Sequence, residues 1–160
     1  MSLLLTTALA AVSLTGCALL DLAEDCDGTE ERVAELTGLD IFEAEPLGAE
    51  AADGFEKVDA DCWADSGDVV AYAKRTYTFP GTRDEVQEHY RAEAERDGWR
   101  WFPEEQCFGK DGMSLRVLVV AAPHFEAESL GEPTGLGAGP GTDYWVEVES
   151  YGAGGKDAVC

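Results

Sequence analysis

Cations are scarce in this chain. Of 160 residues only 11 are Lys or Arg and two are His, against 33 Asp and Glu, giving a formal net charge of −22. So acidic a chain excludes nucleic acid as a partner, because phosphates need neutralisation by Lys and Arg. It is also repelled by an anionic bilayer surface. The signatures of reactive sites are missing too. There is no Gly-x-Ser-x-Gly, no Ser-x-x-Lys and no His-Glu-x-x-His. No pair of cysteines has the short spacing of a zinc site or of a Cys-x-x-Cys redox motif. The glycines from Gly131 to Gly141 lack the Gly-Lys-Ser/Thr ending of a phosphate loop. These absences lead us to expect no cofactor, no metal and no catalytic residue.

What is present starts at the N-terminus. Residues Ser2 to Leu14 are Leu, Ala, Val, Thr and Ser without charge, and small residues Thr15 and Gly16 precede Cys17. The tetrapeptide Leu14-Thr15-Gly16-Cys17 resembles the lipobox of bacterial lipoproteins. That resemblance implies cleavage before Cys17, a diacylglycerol on its thiol and a further acyl chain on the new amine. Residues 1–16 then form a signal peptide outside the fold. Two acyl chains make anchoring stable where one is marginal. An uncleaved anchor over Ser2 to Leu20 and a plain secretory signal ending near Ala10 are the rival readings. A signal normally opens with Lys or Arg; none follows Met1, which points to a start codon further upstream.

Removing residues 1–16 leaves 144, one domain with a single core. Residues 17–27 read as an acidic tether and 28–160 as the globular part. Four cysteines besides Cys17 remain, and an even number in an exported domain reads as two disulfides. Spacing alone allows three pairings. Cys62 and Cys107 stand beside Trp63 and Phe108 at strand edges, and Cys160 ends a Gly-rich tail with no other reason to be ordered. We therefore expect Cys62–Cys107 and Cys26–Cys160.

Along the chain, Asp27 to Glu30 opens a short helix with Val33 and Leu36 on its apolar stripe and Gly38 past its end. A short strand is expected over Phe55–Asp61, then a turn at Asp65–Asp68. Val69 to Phe79 is the clearest strand, with Val69, Ala71, Ala73, Tyr77 and Phe79 alternating onto one face. Thr82-Arg83-Asp84-Glu85 is a capping box for a helix over about 83–97, with Val86, Tyr90 and Ala94 buried and Gly98 closing it. Strands follow from Trp99, at Cys107–Lys110, and, after the turn Asp111-Gly112, at Met113–Ala121. Residues 123–142 read as a flexible loop, and Tyr144–Tyr151 as a last strand with Tyr144, Val146 and Val148 inward. Helices and strands do not alternate regularly. We expect an α+β domain, a largely antiparallel sheet with the main helix on one face.

Four stretches carry a further resemblance: Tyr77-Thr-Phe-Pro-Gly81, Glu85-Val86 to His89-Tyr90, Asp97-Gly-Trp-Arg100 and Cys107-Phe-Gly-Lys110. Over Ala71 to Val120 the chain resembles small uncharacterised actinobacterial lipoproteins. These motifs cap, pack and staple; the resemblance implies fold and location and carries over no catalytic residue.

Candidate chemistry is sparse. His89 lies one turn from Glu85 and Glu93, the setting of a carboxylate-oriented base, but with no Ser or Cys nucleophile pattern. A solvated helix-face histidine is the simpler reading, and His124 is a loop residue. Asp59, Asp61, Asp65 and Asp68 have loop-like calcium spacing, yet Trp63, Ala64 and Val70 stand where an EF-hand needs a ligand, Gly and Glu. Trp63, Trp99, Trp101 and Trp145 read as core before they read as a stacking surface. The expected function is a membrane-anchored extracytoplasmic lipoprotein, held in the bilayer by acylated Cys17, that binds a protein or small ligand at the cell envelope without catalysis. The alternatives are an envelope hydrolase or transferase accessory using His89, and an acidic cation-capture domain.

Overall fold

The computed structural model describes residues 26–65, 68–120 and 141–151. The expected signal segment, Cys17, residues 18–25, His124, nearly all of loop 123–142, and Cys160 lie outside the described residues.

The capping box forms as read. Thr82 Oγ1 accepts from Glu85 N at 3.3 Å, and Glu85 Oε2 accepts from Thr82 N at 2.7 Å. Such a cap contributes about 1 kcal/mol. It starts helix α2 (Arg83–Arg96), which buries Val86, Tyr90 and Ala94 and ends before Gly98, whose φ of +84° suits glycine. Helix α1 (Glu30–Thr37) and one 3-10 turn (Asp40–Glu43) precede it.

Among the described residues seven strands make one sheet: β1 (Glu50–Ala51), β2 (Asp59–Asp65), β3 (Asp68–Phe79), β4 (Arg100–Phe102), β5 (Cys107–Lys110), β6 (Met113–Val119) and β7 (Thr142–Tyr151). Their order is β1-β3-β7-β6-β5-β4, with β2 on the same edge of β3 as β1. Every pairing is antiparallel. This is a single-domain α+β fold with one main helix and one short one. Asp111 and Gly112 both have positive φ, +49° and +76°, between the paired Lys110 and Met113. That is the two-residue turn whose twist matches its strands.

Cross-strand partners share a face, so register divides the side chains. Ala71, Ala73, Tyr77 and Phe79 of β3 join Tyr144, Val146 and Val148 of β7 and Met113 and Leu115 of β6. Together with Leu36, Ile41, Phe42, Val86, Tyr90 and Ala94 from the helical side they form the core. At its centre Tyr77 stacks on Tyr144 with ring centroids 5.1 Å apart, and the hydroxyls of Tyr90 and Tyr144 lie 3.4 Å apart. Tyr77 donates its hydroxyl hydrogen to Phe42 O.

Three expectations need correction. The strand read at Phe55–Asp61 runs instead over Asp59–Asp65, because Asp65 pairs with Asp68 and pulls the hairpin tight. Phe55 N donates to Ala52 O in a turn through Gly54. The last strand begins at Thr142, two residues early. The disulfide pairing also differs: Cys26 bonds Cys62, with Cα atoms 5.9 Å apart. Helix α1 packs on β2 and β3, which brings Cys26 over Cys62 on the helical face. Cys107 points to the other face, since its neighbour Phe108 is in the core, and it lies four strand spacings away. At about 4.8 Å each those spacings far exceed the roughly 7 Å a disulfide spans. The expected Cys62–Cys107 and Cys26–Cys160 bonds are therefore both replaced.

Two predictions follow from this packing. The Cys26–Cys62 bond closes a loop with a sequence separation of 36, worth about 4 kcal/mol of chain entropy. The double variant Cys26→Ala/Cys62→Ala should show a urea midpoint lowered to match; an unchanged midpoint would mean that the crosslink stabilises nothing.

The second concerns alkaline pH. Burial pushes Tyr144 up to about 12 and raises Tyr77 and Tyr90 further. Above the ordinary tyrosine value of 10.0 the unfolded chain releases phenolic protons that the native state keeps. Stability then falls as pH rises. Tyrosinate absorbance should show Tyr72 and Tyr151 ionising in the folded protein, and Tyr77, Tyr90 and Tyr144 only as near-ultraviolet dichroism is lost. Five ionisations without unfolding would refute the buried cluster.

Candidate functional site

Where α1 begins, its backbone stands off the sheet and leaves a cleft of about 290 Å³. Gly28, Thr29 and Arg32 line it from the helix side, Val69 and Ala71 from β3, Ser150 and Tyr151 from β7, and Gly112 from the β5–β6 turn. The Cys26–Cys62 bond fixes this corner, because Cys62 pairs across the sheet with Ala71. Gly28 has φ +85°, a conformation that costs glycine nothing, and lets the chain turn into α1.

Arg32 is the charged group of the cleft. Its Nε donates to Ser150 Oγ at 2.7 Å, and its Nη1 donates to Glu35 Oε2 at 2.5 Å. Ser150 is only 4% exposed, so its hydroxyl depends on that donor. Thr29 Oγ1 donates to Cys26 O at 2.8 Å. The Thr29 and Ser150 hydroxyls thus have structural partners, and among the described residues no imidazole lines the cleft. A guanidinium, two glycine backbones and the ring of Tyr151, 37% exposed, are the other groups that line it. Sequence reasoning missed both Arg32 and Ser150. The signal was there: Arg32 is the first cation in the chain, and the alternation Tyr144, Val146, Val148 puts a polar residue, Ser150, at the next inward position.

The other candidates separate. His89 Nε2 lies 2.6 Å from Ala44 O, tying α2 to the segment after the 3-10 turn. Glu85 is held in the capping box, whose backbone and side-chain hydrogen bonds keep its carboxyl below the usual value. Glu93 is paired with Arg96, Oε1 accepting at 2.9 Å. Neither carboxylate orients His89. The acidic run is a strand rather than a loop: the six steps from Asp59 to Asp65 span about 20 Å. Asp59 faces Lys74 across the sheet, and Asp61 Oδ1 accepts from Cys62 N at 2.8 Å. Among the described residues no group of three or more His, Cys, Asp or Glu is placed to hold a metal ion.

The tryptophans divide between two faces. Trp99 is buried, and Trp101 packs on Phe108 at 4.7 Å with the Arg91 guanidinium 5.0 Å from its ring centroid. Trp145 and Trp63 lie on the face opposite the helices, Trp63 at 42% exposure. No helix among the described residues is long and apolar enough to cross a membrane. No protein-family model, no curated protein and no solved structure matches the chain.

The cleft makes a direct prediction. Arg32→Ala leaves Ser150 Oγ buried without its donor and should cost about 1–2 kcal/mol in urea denaturation. A variant as stable as the parent would show that Arg32 is not part of the architecture of the cleft.

Proposed function

We propose that this protein is a lipid-anchored extracytoplasmic binding module, non-catalytic, whose ligand enters the cleft between α1 and the ends of β3 and β7. The observation that carries the reading is the disulfide-clamped corner holding Arg32. Disulfides persist in oxidising compartments, so Cys26–Cys62 supports export. The lipobox resemblance at Leu14-Thr15-Gly16-Cys17 supplies the anchor. Cys17 and Cys26 are nine positions apart, a reach of at most about 30 Å. The clamped corner is therefore the part of the domain tethered closest to the bilayer. Arg32, in a chain of net charge −22, favours a ligand that offers the cleft a carboxylate or another hydrogen-bond acceptor.

Fractionation of cells expressing tagged protein tests the anchor. The wild type should sediment with membranes and carry an acylated Cys17 N-terminus by mass spectrometry. Cys17→Ala should be soluble or accumulate as the unprocessed precursor. An intact Met1 on the wild-type protein would sink the lipoprotein reading. Cross-linking in the same cells tests the cleft: partners captured by the wild type should be lost with Arg32→Ala while the protein remains folded. Retention of every partner would move the binding site elsewhere.

A further inference from the structure

The sheet face opposite the helices carries its aromatics and its acids in register. Across it run Trp63, Val70 and Tyr151, then Asp61, Tyr72, Glu149 and Ser114, then Asp59, Lys74, Glu147 and Arg116. Among the described residues neither helix packs here, because α1 and α2 both contribute to the core on the other side. Trp63 and Tyr151 are exposed although the Val70 between them is fully buried, so two rings flank a closed apolar floor and keep surface of their own. The row of Lys74 shows what this face does with a cation. Lys74 stands between Asp59 and Glu147, at the cross-strand spacing of about 5 Å. The neighbouring row repeats the two carboxylates, Asp61 and Glu149, but has Tyr72 in the cation's place. Arg116 serves Glu149 from the far side, whereas Asp61 faces only the phenol ring across the register. That row ends in Ser114, 2% exposed, whose Oγ has no hydrogen-bond partner.

We propose that this face docks a partner protein through one arginine or lysine side chain, its charge over the Tyr72 ring between Asp61 and Glu149 and its stem against Trp63 and Tyr151. The ring face attracts a cation, and carboxylates on two sides give it charge-assisted hydrogen bonds. Strands β2 and β7 are two spacings apart, about 9.6 Å, which leaves room for a guanidinium or ammonium between their acids. An arginine that reaches Glu149 also brings an N–H to the Ser114 hydroxyl. The apolar stem of either residue packs on aromatic surface while its head stays polar. The acids act on these rings: burial first, then Asp59, Asp61 and Glu147, raises the Tyr72 phenol, and burial, then Glu149 and Asp68 against Arg116, raises that of Tyr151. Four carboxylates in the two rows against Lys74 and Arg116 set the sign of the partner. A second copy of this chain, at −22, has the wrong one. A bare metal ion finds no converging set of ligands among the described residues.

The test is an NMR titration of the purified full chain with the capped tripeptide acetyl-Gly-Arg-Gly-amide, set against its uncharged citrulline analogue. Saturable shifts of the Trp63 indole and of the Val70, Ala71 and Tyr72 amides are expected at millimolar peptide, weakening as salt rises. Affinity should fall about fivefold or more for the citrulline peptide and for Asp61→Asn. That variant removes the charge and keeps the oxygen that accepts from Cys62 N. Equal binding of the two peptides, or equal binding by Asp61→Asn, would refute recognition of a cation at this row. Shifts confined to Gly28, Thr29 and Arg32 would place the peptide in the cleft and overturn the proposal. So would the same shifts appearing with chain concentration alone, which would make a second copy the occupant.

Discussion

The pairing of β3 with β7 is the constraint on which the other contacts rest. Ten consecutive pairs join Val70–Phe79 to Thr142–Tyr151, segments separated by more than sixty residues. Closing so long a loop costs about 2.5 kcal/mol beyond that of a minimal one, and local turns return none of it. What repays it is alternation held in phase. In the observed register Tyr144, Val146 and Val148 meet Tyr77, Arg75 and Ala73 on the helical side. A slip of one residue would present Trp145, Glu147 and Glu149 to the core instead. Two carboxylates buried among Leu36, Val86 and Tyr90 without partners cost several kcal/mol each, so the register has no competitor one step away.

Once that pair is set, the few cations have defined tasks. Arg116 Nη1 donates to Glu149 Oε2 at 3.2 Å on the outer face, and Lys74 lies opposite Glu147, whose carboxyl is raised chiefly by burial and then by Glu149. On the inner face Arg75 donates through Nη1 to Phe42 O at 3.1 Å and to Glu43 Oε1 at 2.7 Å, with its guanidinium 5.3 Å from the Tyr77 ring centroid. It thereby fastens the 3-10 turn over the tyrosine cluster. Lys110 spans Asp97 O and Asp97 Oδ2 at 2.6 and 3.0 Å, closing β5 onto the end of α2. Exposed pairs of this kind add little stability singly. Each, however, joins elements that are distant in sequence, and Arg32 does so with a buried hydroxyl as its partner.

Local chemistry was legible and long-range placement was not. The α2 capping box, the Asp111-Gly112 turn and the alternation of β6 and β7 each depend on residues within a few positions of one another, so the sequence displays them directly. The four residues by which β2 differs from its expected span depend on pairing with β3, where an apolar Phe55 had stood in for a strand signal. Arg75 occupies an inward position that alternation marks as apolar, and its use becomes visible only once Phe42 and Glu43 are placed above it. The disulfide error has the same origin. Aromatic neighbours indicate that Cys62 and Cys107 border the core, but not that they point to opposite sides of one sheet. Of the cleft, Arg32 and Ser150 were each readable as exceptions to a local pattern. Their meeting needed α1 to be laid across the ends of β3 and β7.

The charge distribution bears on how the proposed anchor would present this domain. Residues 17–31 contain six acids and no Lys or Arg, so the tether itself has nothing with which to hold anionic headgroups. Under the proposed anchoring, attachment would fall to the acyl chains while repulsion acted on the domain. That repulsion decays over a Debye length of about 8 Å at physiological ionic strength, well inside the roughly 30 Å that nine extended residues can reach. A domain of this charge, so anchored, would therefore stand clear of the lipid surface rather than lie on it. Under the proposed anchoring the cleft beside Cys26 would border this gap, and its Arg32 is the first Lys or Arg in the chain. Arg32 is the one cation lining the cleft, so a ligand offering a carboxylate would be drawn there, while cationic partners would be drawn to the acid-rich outer face, where Asp59, Asp61, Glu147 and Glu149 outnumber Lys74 and Arg116.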